Sequence, residues 1–388
     1  MPPSRDSDRP AGRPAAAPLP GPGDLAVVVC SRDRADLLRR SLARIAQATP
    51  SGVDVLVVDS GSRTGDTLAA AADAGVRAVR SDVPGLSIAR NLGLASTDRP
   101  IVLFTDDDCL AVEGWTGAVL AGFGDPQVVA VTGRMLDHTL AGTPGAAPQP
   151  ARHLRRVVEG LDAGHGALMA FRRARVLAVG GFDDVLGAGR ELAGAEDLDM
   201  FCRLIAAGGV VVQDEASVVL HANTREGDDH ARLYRGYGLG LGALVAKWLR
   251  LDATTGARLA ATVVRRAVLR WLRAGTDRRA RAAQGALLAG AIHGWRTARH
   301  LRLRAGVFVD DRPPEPVPAP APGRPARSVP TGLAAATVPT GLAPATVQGV
   351  PARSVSAPPD PAAGGEHALA RVQARGPGRT REGADDAS

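Results

Sequence analysis

Aromatic side chains make up only 3% of this sequence, and Lys247 is the single lysine among its 47 basic residues. With so few rings to stack on bases, and no groove-reading motif, the chain does not read as a nucleic-acid binder despite a formal charge of +7. An anionic membrane or a phosphorylated substrate accounts better for that charge. The three cysteines, Cys30, Cys109 and Cys202, are odd in number and widely spaced, with no CxxC pair. They exclude a disulfide framework or a zinc knuckle and suggest buried residues in a reducing compartment. No window offers the roughly 18 apolar residues of a spanning helix, and the N-terminus lacks the apolar stretch of a secretory signal. The expectation is a cytoplasmic protein, with a peripheral place on the inner face of the membrane left open.

Bulky apolar residues are also scarce at both ends. Residues 1–23 and 306–388 are dominated by Pro, Ala, Gly and small polar or charged side chains. Such segments bury too little apolar surface to offset the entropy of ordering, so both are predicted to be disordered. The C-terminal one repeats itself, VPTGLAAAT from Val329 followed by VPTGLAPAT from Val338, with PARSV at Pro325 and Pro351. That period is too short and too Pro-rich for a solenoid. Foldable sequence lies between the ends. Residues 24–250 read as one α/β domain and residues 251–305 as an Arg-rich helical appendage.

Within 24–250, β-branched runs alternate with helical periodicity. LAVVVC from Leu25, VDVLVV from Val53, a short run at 76–79 and IVLF from Ile101 read as buried strands. Residues 34–48, 67–74 and 87–95 carry apolar residues at helical spacing. This alternation predicts a mostly parallel central sheet, with ligands bound beyond the carboxyl ends of its strands. Ser31, Asp59 and the triplet Asp106, Asp107 and Asp108 all fall just after strand ends. Further strands are expected at 128–132, 167–171, 210–212 and 217–220, a Pro/Gly loop at 142–150 and a helix at 197–207.

Three adjacent aspartates repel one another and pay for desolvation. A hard divalent cation, Mg²⁺ or Mn²⁺, would relieve this through oxygen ligands shared with a diphosphate; a solvated acidic turn is the plainer alternative. The segment LFTDDDC resembles the DxD segment of family 2 glycosyltransferases, which have a GT-A fold. Other landmarks follow in order: VVVCSRDRADLLRRSL resembles the opening strand and donor loop, VLVVDSGSRTGDT the second strand, and GLSIARNLGL the segment before the metal motif. GALMAFRR, GGFDDVLGAG and AEDLDMFCRLIAAG resemble the acceptor-side half, and VVLHANTR adds a histidine.

The resemblance implies an inverting transfer from a nucleotide-sugar donor to a glycan, polysaccharide or lipid-linked acceptor, with a divalent metal as cofactor. It implies that Asp59 contacts the base, that Ser31 and Arg34 line the donor loop and that Arg90 helps hold the nucleotide. Asp106 would contact the ribose and Asp108 bind the metal, with Asp107 between them and less clearly assigned. His221 would be a further metal ligand, or a buried histidine bonded to backbone. Asp197, with Glu196 as second choice, would take the proton from the acceptor hydroxyl; both acids also suit the first turn of a helix.

Two positions depart from the family pattern. Leu168 stands where Asn is frequent, and Ala195 where glycine is usual, a change that matters if the position needs positive φ. A sugar nucleotidyltransferase on a related fold would want a Gly-rich basic loop after the first strand, which CSRDRADLL lacks. A non-catalytic nucleotide-sugar or glycan-binding module is the other alternative. GLGLG at 238–242 leads into an apolar helix and not out of a strand, so close helix packing fits better than phosphate binding. The Arg-rich helix at 258–272 fits two arrangements, one on anionic lipid and one packed on the catalytic domain. The peripheral membrane contact, if made, would use residues 256–305.

Overall fold

The computed structural model describes residues 19–137, 149–221 and 230–310. The Pro/Ala tail repeats and most of the expected 142–150 loop lie outside them. The chain begins β1 (Leu25–Ser31), α1 (Ala35–Ala48), β2 (Asp54–Ser60), α2 (Asp66–Asp73), β3 (Arg77–Ser81), α3 (Leu86–Ala95) and β4 (Ile101–Asp106). It continues through β5 (Cys109–Ala111), α4 (Trp115–Gly122), β6 (Val128–Asp137), β7 (Arg152–Leu154), β8 (Leu168–Arg172), α5 (Arg173–Ala178), α6 (Glu196–Ala206) and β9 (Val210–His221). Three long helices follow, α7 (His230–Leu251), α8 (Ala253–Arg273) and α9 (Arg278–Ala298), then a hairpin of β10 (Arg302–Arg304) and β11 (Val307–Val309).

Continuous apolar strands need cover on both faces, and alternation along β1 shows how it is provided. Leu25, Val27 and Val29 point to one side, against Leu38, Leu42 and Ile45 of α1 and Trp115 and Val119 of α4. Ala26 and Val28 point to the other, against Ala89 and Leu94 of α3 and Met200, Phe201 and Leu204 of α6. The sheet order is β3-β2-β1-β4-β8-β6-β9-β5, with β7 on β9. The expected parallel arrangement holds across β3-β2-β1-β4. Antiparallel pairs enter where β8 joins β4 and β6, and again where β5 and β7 join β9. The result is the expected α/β fold, a mixed sheet with helices on both faces and a helical C-terminal element.

The glycines of 238–242 lie inside α7, where they admit other backbones. A Cβ at Gly238 would lie 2.1 Å from Leu287 O, and one at Gly242 2.0 Å from Ala291 O, both on α9. The α9 glycines return the contact, since a Cβ at Gly294 would lie 2.0 Å from Leu239 O. The GLGLG run is therefore a helix-crossing surface. Leu244 and Trp248 of α7, Leu259, Val263 and Ala267 of α8 and Leu287 of α9 form one apolar cluster with Leu161, Ala195 and Cys202 of the sheet domain. The folded chain runs past residue 305, where the sequence reading placed its end. The hairpin seals a second cluster, in which Phe308, 4% exposed, meets Val185, Leu186 and Ala246.

Between these clusters sits Lys247, wholly buried. Its ammonium lies 2.6 Å from Asp183 Oδ2 and 2.7 Å from Asp199 Oδ1. Arg203 Nε donates to the other Asp199 oxygen at 2.8 Å, and the Phe308 amide donates to Asp183 Oδ2 at 2.8 Å. Burial alone would raise the Asp199 pKa; the Arg203 and Lys247 charges outweigh it and hold the carboxyl below its usual range. That depressed value gives a stabilisation present above the unfolded pKa of about 3.9 and lost as pH falls through the folded value. Lys247→Met would leave two buried carboxylates short of a counter-charge. We expect a loss of about 3–5 kcal/mol in chemical denaturation; an unchanged midpoint would show that the network does not hold α7 to α6.

Candidate active site

Strand register assembles the site before any side chain is considered. Ser31 at the end of β1 pairs with Asp59 at the end of β2, and Cys30 pairs with Asp106 at the end of β4. The carboxyl edge of the parallel strands therefore carries Ser31, Asp59 and Asp106 in a row. From the far side of the sheet, β9 brings His221 into register with Cys109 of β5, next to Asp108.

The aspartates of the triplet meet three different environments. Asp107 turns inward, accepting from Ser31 Oγ at 2.7 Å and pairing with Arg34 Nη1 at 2.9 Å. Burial, only partly offset by Arg34, pushes its carboxyl up to about 6. Asp108 pairs with Arg34 Nη2, and its Oδ2 lies 3.5 Å from His221 Nε2. Burial would raise its pKa, but His221 and Arg34 overcome that and hold it well below the usual carboxylate range. Asp106 is pushed up by burial, against the pull of Arg90, with the charges of Asp108 and Glu196 adding to the rise.

Asp106, Asp108 and Cys109 offer ligand atoms within 4.8 Å of one another. Burial drives the Cys109 thiol well above its usual value, so it stays protonated and is a poor ligand for a hard ion. Two carboxylates of this group, with the His221 imidazole beside Asp108, form an oxygen and nitrogen donor set that fits Mn²⁺ or Mg²⁺.

Arg90 occupies a different place from the one expected. Its guanidinium is 2% exposed and stacks 5.4 Å from the Phe182 ring and 6.0 Å from that of Phe104. Its Nη1 donates to Glu196 Oε1 at 2.9 Å. Instead of an open face toward a nucleotide, Arg90 presents a buried anchor for Glu196. This separates the two acids at the start of α6. Glu196 is buried and held, whereas Asp197 is half-buried and accepts at Oδ1 from its neighbour's amide, Leu198 N, at 2.8 Å. Burial first, then the Glu196 charge, pushes Asp197 up to about 7. Ahead of them Ala195 holds φ of 59°, the left-handed conformation for which glycine is usual.

Asp59 is wholly buried, and its two oxygens are engaged, Oδ2 by Arg80 Nη1 at 2.5 Å and Oδ1 by the Ser62 amide at 3.0 Å. Sequence reasoning missed Arg80. The signal was available in principle, because Arg80 pairs with Asp59 in the β2–β3 register. It also missed His165, whose Nδ1 is buried without a hydrogen-bond partner among the described residues. Burial, with the His221 charge, pushes this imidazole down to about 4.

With this geometry in view, residues 26–173 match the model of glycosyl transferase family 2. Over those residues the chain carries the family 2 pattern. The chain is 30% identical over 225 residues to the pre-mycofactocin glycosyltransferases of two strains of Mycobacterium tuberculosis, covering 53% of this chain and 44% of each relative. It thus spans less than half the length of these curated relatives. Among solved structures it is similar to the mannosyltransferase PcManGT of Pyrobaculum calidifontis, in complex with GDP-Man and Mn²⁺. The TM-score is 0.50 and the identity 21%, with 70% of this chain and 86% of that one covered. At that identity the likeness establishes the fold, which is GT-A.

The charge arrangement around α6 makes a direct prediction. Site-specific carboxyl NMR should show Asp197 titrating near 7, and Glu196→Gln should move it to lower pH by removing the neighbouring negative charge. A midpoint in the ordinary aspartate range in the unaltered protein would contradict this account of the two acids.

Proposed function

We propose that this chain is an inverting glycosyltransferase that moves a sugar from a nucleoside-diphosphate sugar to a hydroxyl of a glycan, polysaccharide or lipid-linked acceptor. The observation that carries this reading is the division of labour among its carboxylates. Asp106 and Asp108 cluster with His221 at the strand ends, while Asp197 stands apart at a helix start with a proton affinity near neutral. The family match and the pre-mycofactocin glycosyltransferase relatives support it, and the GDP-Man and Mn²⁺ bound to the Pyrobaculum enzyme support the donor class.

In this mechanism Ser31 and Arg34 line the donor side of the cleft, with Asp107 holding both in place. Asp59 shapes the base end through Arg80 and the Ser62 amide. Asp106 faces the ribose, and Asp106, Asp108 and His221 would hold the divalent metal. When bound, that ion offsets the negative charge of the diphosphate leaving group. Asp197 accepts the proton of the acceptor hydroxyl as its oxygen bonds to the anomeric carbon. The bond from that carbon to the phosphate oxygen breaks, and the nucleoside diphosphate departs with the bonding pair. Attack and departure on opposite faces invert the centre. Arg90 holds Glu196 in place, so that Asp197 is the acid with a free role.

The first experiment is a thermal-shift screen of nucleoside diphosphates and nucleotide sugars with and without Mn²⁺. A ligand that binds only the folded state raises its apparent stability. A metal-dependent shift with one nucleotide is expected, and Asp108→Ala should abolish it. Asp197→Asn should keep the shift yet lower transfer by at least about 100-fold. No shift with any nucleotide would sink the transferase reading in favour of a non-catalytic module. An active Asp197→Asn enzyme would remove the base assignment. In the unaltered enzyme kcat/KM should fall as pH drops through about 7, because the ionised form of Asp197 is the base.

A further inference from the structure

The net positive charge of this protein is not spread over its folded part. Residues 24–250 carry 24 basic and 28 acidic side chains, whereas residues 253–304 carry twelve arginines and a single acid, Asp277. The basic excess therefore resides in α8, α9 and the start of the hairpin. None of these helices is long and apolar enough to cross a membrane.

The apolar residues of α8 divide into two stripes. Leu259, Val263 and Ala267 are buried against the sheet domain and its neighbouring helices. Val264, Val268, Trp271 and Leu272 face outward, 50%, 41%, 39% and 59% exposed. Their spacing of three and four places them along one side of the helix, and the exposed arginines 258, 265 and 273 border that side. Packing on the domain and an outward apolar face are thus both present in one helix, on different sides. The position of α8 is also fixed relative to the active site. Arg266 pairs with Asp162 at 2.7 Å, three residues before His165. Tyr234 packs in the same cluster as Leu259 and Val263. Tyr237, one turn along α7, stands over Gly194, the residue before Ala195 and the Glu196–Asp197 pair.

We infer that the outward face of α8 is a docking surface for an anionic lipid bilayer, holding the acceptor side of the active site against the membrane. Apolar side chains bordered by arginines, with no acid on the helix itself, match an interface of acyl chains below anionic headgroups. The chain's own tail is a poor alternative occupant, because residues 311–388 carry eight arginines and seven acids and so lack complementary charge. A nucleic acid would use the arginines but leave the apolar stripe without a partner.

The test uses the full chain and vesicles of phosphatidylcholine alone or mixed with phosphatidylglycerol, read by flotation. Binding to the mixed vesicles at low salt, weakened at high salt and absent on phosphatidylcholine, is expected. Val264→Ser with Val268→Ser and Leu272→Ser, and separately Arg258→Gln with Arg265→Gln, should each lower binding by about tenfold or more. These side chains are exposed, so circular dichroism should be unchanged. Brominated lipid should quench tryptophan fluorescence in the unaltered protein and much less in Trp271→Phe. Failure to float with the anionic vesicles would overturn the inference. So would flotation undiminished by the serine variant, which would mark the arginines as a general polyanion surface, and so would equal retention of both variants, which would place the contact elsewhere in the chain. The inference rests on the proposed transferase reading for its acceptor side, but its test is separate, since flotation reads lipid contact and the thermal shift with Mn²⁺ reads nucleotide binding.

Discussion

Everything at the carboxyl edge of this sheet depends on holding five carboxylates close together without letting them all protonate. Asp106, Asp107, Asp108, Glu196 and Asp197 converge from β4, the turn after it and the start of α6. Two arginines make this tolerable and do so unequally. Arg34 spans Asp107 and Asp108 from the donor loop. Arg90, clamped between phenylalanine rings, takes Glu196. The outcome for the acids is unequal: Asp108 is held below its usual range, whereas Asp197 is raised toward neutrality. Electrostatic repulsion that would destabilise an ordinary surface is here divided among partners, each acid meeting its own balance of burial and counter-charge.

That arrangement needs α6 to be held rigidly, and the buried Lys247 network supplies the hold. Asp199 sits two residues beyond Asp197 on α6, and through Lys247 it is joined to α7, to Asp183 and to the backbone of the C-terminal hairpin. Gly240 of α7, where a Cβ would lie 2.1 Å from Gly194 O, lets that helix approach the segment just before α6. The helical element is thus a brace for the start of α6.

Much of the site was legible because strand ends are legible. A buried β-branched run followed at once by Ser31, Asp59 or Asp106 places each residue at the same edge, whatever the loops do. The GLGLG run was likewise readable as a packing surface, since its context is helical. The partners were not. Arg80 meets Asp59 only through the β2–β3 register, Arg90 turns away from solvent because two phenylalanines from distant segments enclose it, and His165 stands where no local pattern marks it. Ala195 carries its left-handed backbone without any sign in its side chain.

From the sequence alone came the α/β alternation, the metal-type acidic triplet, the acid pair at a helix start and the Arg-rich helical element, because each rests on local periodicity or on adjacent residues. Tertiary structure decided which acid of the pair is free and which is anchored, where the single lysine is buried, how far the folded chain extends and which stripe of α8 faces outward. These depend on contacts between residues far apart in the chain. The balance of burial against counter-charge that sets them exists only once the sheet, α6 and the C-terminal helices are assembled.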